Sequence, residues 1–153
     1  MNRVIFSQKQ RMDDLIAKIE TFSDDFEIQS HLARYLCILI SGFLENAIRT
    51  SLSEYAQNKA SPRVANYVDR QLSSFQNPNM EKILVLVGSF CPEWRASLEE
   101  ESDEGISESI NSIVANRHLV AHGGTVGITL GSIKRHYQNV VKLIDLIEKQ
   151  CNR

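Results

Sequence analysis

Apolar positions recur along this chain at helical spacing. Met12, Leu15, Ile16, Ile19 and Phe22 follow the i, i+3, i+4, i+7 rule and predict a first helix over 7–22, peripheral to the rest. Asp24 stands three residues before Glu27, a capping-box-like start for a second helix that reaches about Ala56. Leu32, Leu36, Leu39, Ile40, Phe43, Ala47 and Ile48 form its core face, with Ile38 on the opposite side. Ser61 and Pro62 open a third helix, because proline fits a first turn that needs no N–H. Val64, Val68, Leu72 and Phe75 give that helix its buried stripe. "QNPN" is a turn. "MEKILVLVGSF" is short and apolar, and its helical neighbours decide for helix over strand. Cys91-Pro92 breaks it, and "EWRASLEE" follows as a short helix. Residues 99–105 hold five acids in six positions, whose mutual repulsion predicts a solvated loop. A helix over roughly 107–121 comes next, then an extended connection, "GGTVGITLGS". A last helix begins at about Thr129, with Ile133, Tyr137, Val140, Val141, Ile144 and Ile147 facing inward. The expected architecture is all-α, an antiparallel helical bundle of about five to seven helices in one domain, 1–153.

Composition narrows the function more than the fold. A net charge of −2 argues against a protein that grips nucleic acid by bulk positive charge. It leaves room for an enzyme with a local cationic site. Cys37, Cys91 and Cys151 are odd in number and scattered, with no CxxC pair, which points to a reducing compartment. The N-terminus carries no apolar stretch of signal-peptide length, and "YLCILISGFL" is about half a membrane span. The expectation is a cytoplasmic protein with no membrane partner.

The chemistry concentrates in "SIVANRHLVAHGG", residues 112–124. On a helical wheel Ile110, Ile113, Val114, Val120 and Ala121 share one side, and Arg117 falls near the middle of that stripe. His118 and His122, four apart, stack along its edge, with Asn111 on the same line. A guanidinium cannot shed its charge, so it needs a carboxylate, backbone carbonyls or a surface covered by another molecule. Glu45 is a candidate partner, although an ordinary i, i+4 pair with Arg49 is the favoured reading of it.

Three readings of the stretch compete. Cationic side chains favour the last turn of a helix, and Gly123-Gly124 marks a helix end, so all three residues are candidate caps. The i, i+4 histidines also have metal-ligand spacing. "HLVAH" lacks the glutamate of a zinc protease, however, and no third ligand lies nearby in sequence, so neither a metal nor another cofactor is expected. The third reading is phosphate chemistry. Arginine offers a bidentate grip on phosphate, and histidine moves protons near neutral pH. Together they suffice to cleave RNA by attack of its own 2′-OH, leaving a 2′,3′-cyclic phosphate and a 5′-hydroxyl end.

"NRHLVAHGG" resembles the Arg-x4-His signature of the HEPN superfamily, with polar His118 directly after the arginine. "LISGFLENAIRTSLSEYA", "SPRVANYVDRQLSSFQNPNMEKILVLVGSF" and "VANRHLVAHGGTVGITL" resemble its bacterial RiboL-PSP-HEPN subgroup, over roughly 24–147. The resemblance implies an all-α bundle that dimerises with two motifs facing each other. It also implies metal-independent endoribonuclease activity on RNA, as in toxin–antitoxin, abortive-infection and CRISPR systems, with an antitoxin or regulatory protein as a further partner. Carried over, Arg117 becomes the phosphate clamp and His122 the proton-transfer residue. His118 and Asn116 become supporting groups. The alternative is a non-catalytic HEPN module that binds RNA, a nucleotide or a protein. A third possibility is a helical interaction domain whose motif only caps a helix.

Other polar clusters read more simply. Lys134, Arg135 and His136 suit a solvated helix face with Tyr137 on the core side, more readily than an RNA-guiding surface. Trp94 suits a core anchor, and Arg63 and Arg70 a solvated face.

Overall fold

The computed structural model describes residues 1–22, 24–124 and 127–153. Among the described residues run seven helices: α1 (Arg3–Phe22), α2 (Phe26–Lys59), α3 (Pro62–Leu72), α4 (Met80–Phe90), α5 (Pro92–Glu101), α6 (Glu104–Ala121) and α7 (Leu130–Cys151). The long helix α2 is the wall against which α1, α3, α6 and α7 pack. Leu36, Cys37, Ile40, Leu44, Ala47 and Leu52 recur on one side of it and expose no surface.

Side-chain contacts fix the directions of the helices. Asn2 joins two helices at one end: its backbone N–H donates to Glu148 Oε1 (2.6 Å) and its amide to Glu54. Farther along, the rings of Phe43 and Tyr137 meet at 6.2 Å. Both contacts advance together, so α2 and α7 run parallel. His136 meets Ser109 (3.0 Å), and the Asn139 amide donates to the carbonyl of Gly105 (3.1 Å), so α6 runs antiparallel to α7. It follows that α6 is antiparallel to α2.

The first helix begins at Arg3, earlier than position 7, because the Asn2 side chain accepts from the N–H groups of Val4 and Ile5 and caps it. Nor is it peripheral: Ile5, Met12, Ile16 and Ile19 are part of the core, while Val4, Phe6 and Phe22 turn out to solvent. Helix α2 is capped by Asp25, one residue later than Asp24, since Asp25 Oδ1 reaches the N–H groups of Glu27 (2.8 Å) and Ile28 (3.3 Å). The acidic run is mostly helix. Its charges spread around the perimeter of α5, where Arg95 pairs with Glu99 (3.1 Å) and Ser97 donates to Glu101 (2.6 Å). Only Ser102 and Asp103 separate α5 from α6, and Asp103 caps α6.

In α3 Val68 and Leu72 face the core as expected and Phe75 packs just past the helix, but a small rotation of the first turn buries Ala65 in place of Val64, which is 52% exposed. Leu72 sets that rotation, and small Ala65 permits close approach to α2. The expected extended connection includes Thr125 and Val126, which lie outside the described residues. Beyond them Ile128 is buried, and Thr129 caps α7 in a capping box with Ser132.

These placements set the cost of truncation. Leu44→Ala should destabilise by about 2–5 kcal/mol, and Val64→Ala by no more than about 0.5 kcal/mol. Equilibrium urea unfolding measures both, and equal losses would contradict the rotation assigned to α3.

Candidate functional site

Helix α6 enters the core through Ile106, Ile110 and Ile113, each nearly or fully buried. The Cys37 thiol of α2 donates to the carbonyl of Ile113 at 3.4 Å and pins the two helices at that level. Past Ile113 the apolar stripe leaves the core: Val114 and Val120 are half-buried and Ala121 is exposed. The expectation of an arginine at the centre of a buried stripe is therefore corrected. Arg117 is half-buried, one turn beyond the last core isoleucine, where the packed interior gives way to solvent. Its charge is felt on α2. Burial pushes the Cys37 thiol up to about 11, and the nearby positive charge of Arg117 partly opposes that rise.

His118 and His122 are exposed, and their rings stand 4.4 Å apart between centroids. The helix end beneath them is closed by backbone alone. The Gly123 N–H bonds the carbonyl of Val120 (3.1 Å), and the Gly124 N–H bonds that of Leu119 (2.7 Å). Gly123 takes the left-handed conformation (φ 74°) that this Schellman motif requires. A Cβ on Gly124 would come within 3.0 Å of the Leu119 oxygen, so both glycines serve the stop. Among the described residues no hydrogen bond joins the side chains of Arg117, His118 or His122 to a carbonyl of that last turn. The Schellman bonds already take the carbonyls of Leu119 and Val120, so the stop does not depend on hydrogen bonds from these side chains.

Other predicted residues go elsewhere. Glu45 does not pair with Arg117. It lies 3.8 Å from Arg49, its i+4 neighbour, and accepts the Asn77 N–H at 2.9 Å, steadying a turn in which Asn77 has φ 49°. Asn116 stands about 200° around α6 from His118, on the side where Ser109 meets α7. Asn111 accepts the Met80 N–H at 3.0 Å and fixes the start of α4 beside α6. There a groove of about 680 Å³ opens, lined by Asn77, Asn79, Lys82, Asn111, His118 and Leu119. A larger groove of about 920 Å³ between α3 and α4, lined by Tyr67, Phe75 and Phe90 among others, holds no residue of the motif.

The remaining clusters have structural work. Lys134 pairs with Glu20, and the Tyr137 hydroxyl donates to Asp13 Oδ1 (2.7 Å) from the core side of α7. Burial first, then that hydrogen bond, pushes the Tyr137 phenol above its ordinary range. Trp94 packs with Tyr55 and Phe90 in an aromatic cluster. Arg63 and Arg70 are exposed. Among the described residues no three His, Cys, Asp or Glu side chains gather as a metal site, and no helix is long and apolar enough to cross a membrane.

The model of the RiboL-PSP-HEPN family matches residues 5–153. The chain belongs to this family, a member of the HEPN superfamily. No curated protein and no solved structure matches it. Within this HEPN bundle, one residue of the motif's surroundings escaped the sequence reading. Arg34 of α2 is half-buried, and its Nε is sealed from solvent with no acceptor. Arg34 lies at the edge of the α2 core stripe, near buried Ala33 and Cys37, so spacing alone did not mark it.

His136 supplies a test of the α6–α7 seam in this HEPN chain. Burial, then the charge of Arg135, lowers its pKa below the ordinary 6.5. The folded state then binds fewer protons than the unfolded chain, so stability is intact above pH 6.5 and declines as pH falls below it. His136→Gln should flatten that decline in a Tm-against-pH series, and an unchanged slope would remove His136 from the cause.

Proposed function

We propose that the chain is a metal-independent endoribonuclease that acts on RNA as a two-fold dimer, in a toxin–antitoxin or antiphage defence setting. One observation carries the reading. At the end of α6 an arginine and two solvent-facing histidines stand together, and among the described residues no carboxylate neutralises them and no cap employs them. Charge the fold does not use is available to a ligand. Membership of a HEPN family supports RNA as that ligand.

In the proposed reaction His122 accepts the proton of a ribose 2′-OH. The 2′-oxygen forms a bond to phosphorus as the P–O5′ bond breaks. Arg117 holds the non-bridging oxygens while negative charge gathers on them. The leaving 5′-oxygen takes a proton from the second copy's histidine. His118 supports His122 by ring contact and faces the groove with Asn111 and Lys82, a path for the flanking nucleotides. Exposed Leu119, beside His118, and exposed Ile38, next to Cys37 on α2, support a dimer seam around the motif.

Purified protein incubated with mixed-sequence RNA in EDTA should produce cyclic-phosphate ends. Arg117→Ala and His122→Ala should each lower the rate by roughly a hundredfold or more while unfolding normally. Binding without cleavage would mark a non-catalytic module. Equal cleavage by wild type and both variants would put the activity elsewhere. Sedimentation should give twice the 17.4 kDa of one chain, and Ile38→Glu with Leu119→Glu should give the monomer.

A further inference from the structure

Arg34 and Arg117 stand at the same level of the bundle. The Cys37 thiol bonds the Ile113 carbonyl, which registers α2 against α6 at one point. From there Arg34 lies three residues toward the N-terminus of α2, and Arg117 lies four residues toward the C-terminus of α6. The helices are antiparallel, so both steps go the same way, about 4.5 Å and about 6 Å along the axis. Cys37 and Arg34 share the side of α2 that borders α6, and the charge of Arg117 reaches the Cys37 thiol from across the seam. Arg34 and Arg117 are therefore both half-buried and stand at a similar level on the neighbouring helices α2 and α6.

Neither has an anionic partner among the described residues. The ion pairs of the described residues involve Lys9, Arg49, Arg95 and Lys134, and no hydrogen bond of either guanidinium is found among them. Each guanidinium carries five N–H donors in a fixed plane. Like charges brought together away from bulk water repel, and the buried Arg34 Nε adds the cost of a donor without an acceptor. A single group that is anionic, compact and rich in acceptors answers all three demands. Phosphate has that chemistry and matches the guanidinium fork in two directions at once.

We propose that Arg34 and Arg117 form a two-sided clamp on one phosphodiester of bound RNA, with Arg34 a phosphate-binding residue in its own right. The inference rests on the ribonuclease reading for the identity of the ligand. The clamp itself is tested without cleavage. Arg117 supplies the side of the phosphate next to His122, and Arg34 fixes it against α2, so the phosphorus is held from two helices rather than one.

The test compares wild type with Arg34→Met, Arg34→Lys, Arg117→Met and His122→Ala. Methionine keeps the apolar stem and removes the charge. Inorganic phosphate, followed by thermal unfolding and titration calorimetry, should stabilise wild type and His122→Ala but not the two methionine variants. Arg34→Lys should fall between, since it keeps charge and loses the fork. Without phosphate, Arg34→Met should unfold at the wild-type temperature or above it, as relief of like-charge repulsion requires. Binding of a 2′-O-methyl RNA, which cannot be cleaved, should weaken about tenfold or more in Arg34→Met, and phosphate should compete with it in wild type. A phosphate response in Arg34→Met equal to wild type, or none in wild type, would overturn the clamp. So would a markedly lower unfolding temperature for Arg34→Met, which would reveal an internal acceptor. Phosphate binding through both arginines with RNA left intact would keep the clamp and refute the nuclease. Undiminished cleavage by Arg34→Met would keep the nuclease and refute the clamp.

Discussion

The dry face of α2 is the contact on which everything else in this bundle depends. Leu36, Ile40, Leu44 and Leu52 present a continuous apolar surface to the helices around them. Burying it is worth enough to hold α1, α6 and α7 in place despite the entropy of ordering them. Asn2 closes one end of this assembly by bonding α2 and α7 at once. At the other end Lys134 of α7 pairs with Glu20 of α1, and it is toward that end that the chain gathers Arg34, Arg117, His118 and His122.

The site is therefore a boundary phenomenon. A guanidinium deeper in the bundle would need a buried partner; one farther out would be an ordinary solvated charge. Arg117 sits between, one turn past Ile113, where its stem still packs and its head meets the surface. The backbone-only closure of α6 completes the arrangement, since it leaves both imidazoles free of structural duty. Cys37 beneath shows how close the two regimes are: its thiol is raised by burial while a charge acts on it from the rim.

Much of this was legible in the sequence, for reasons that separate by residue. Periodicity located α2 and α7 because their apolar positions repeat over many turns, whereas α4 was assigned from its helical neighbours. It misjudged Val64 because a short helix with few apolar residues leaves its rotation to the neighbour it meets. The acidic run misled because repulsion along the chain was counted and the spacing of charges around a helix was not. Asp24 and Asp25 are adjacent and chemically alike, so the cap position depends on loop geometry that pattern does not carry. Arg117 and the histidines stood out by spacing. Arg34 did not, because its importance comes from a register between two helices far apart in the chain, set by one thiol and one carbonyl.

The parallel pairing of α2 with α7 also bears on how the protein is made. Phe43 and Tyr137 touch across that seam, yet much of the chain is synthesised between them. A nascent chain cannot dry the face of α2 until α7 has left the ribosome and docked. Until then α6 has no α7 to lean on, and the level at which Arg117 meets Arg34 is not fixed. The motif and the packing around it thus arrive at different times. The cationic rim is therefore among the last features of these seven helices to assemble, after α7 has been made and has docked on α2.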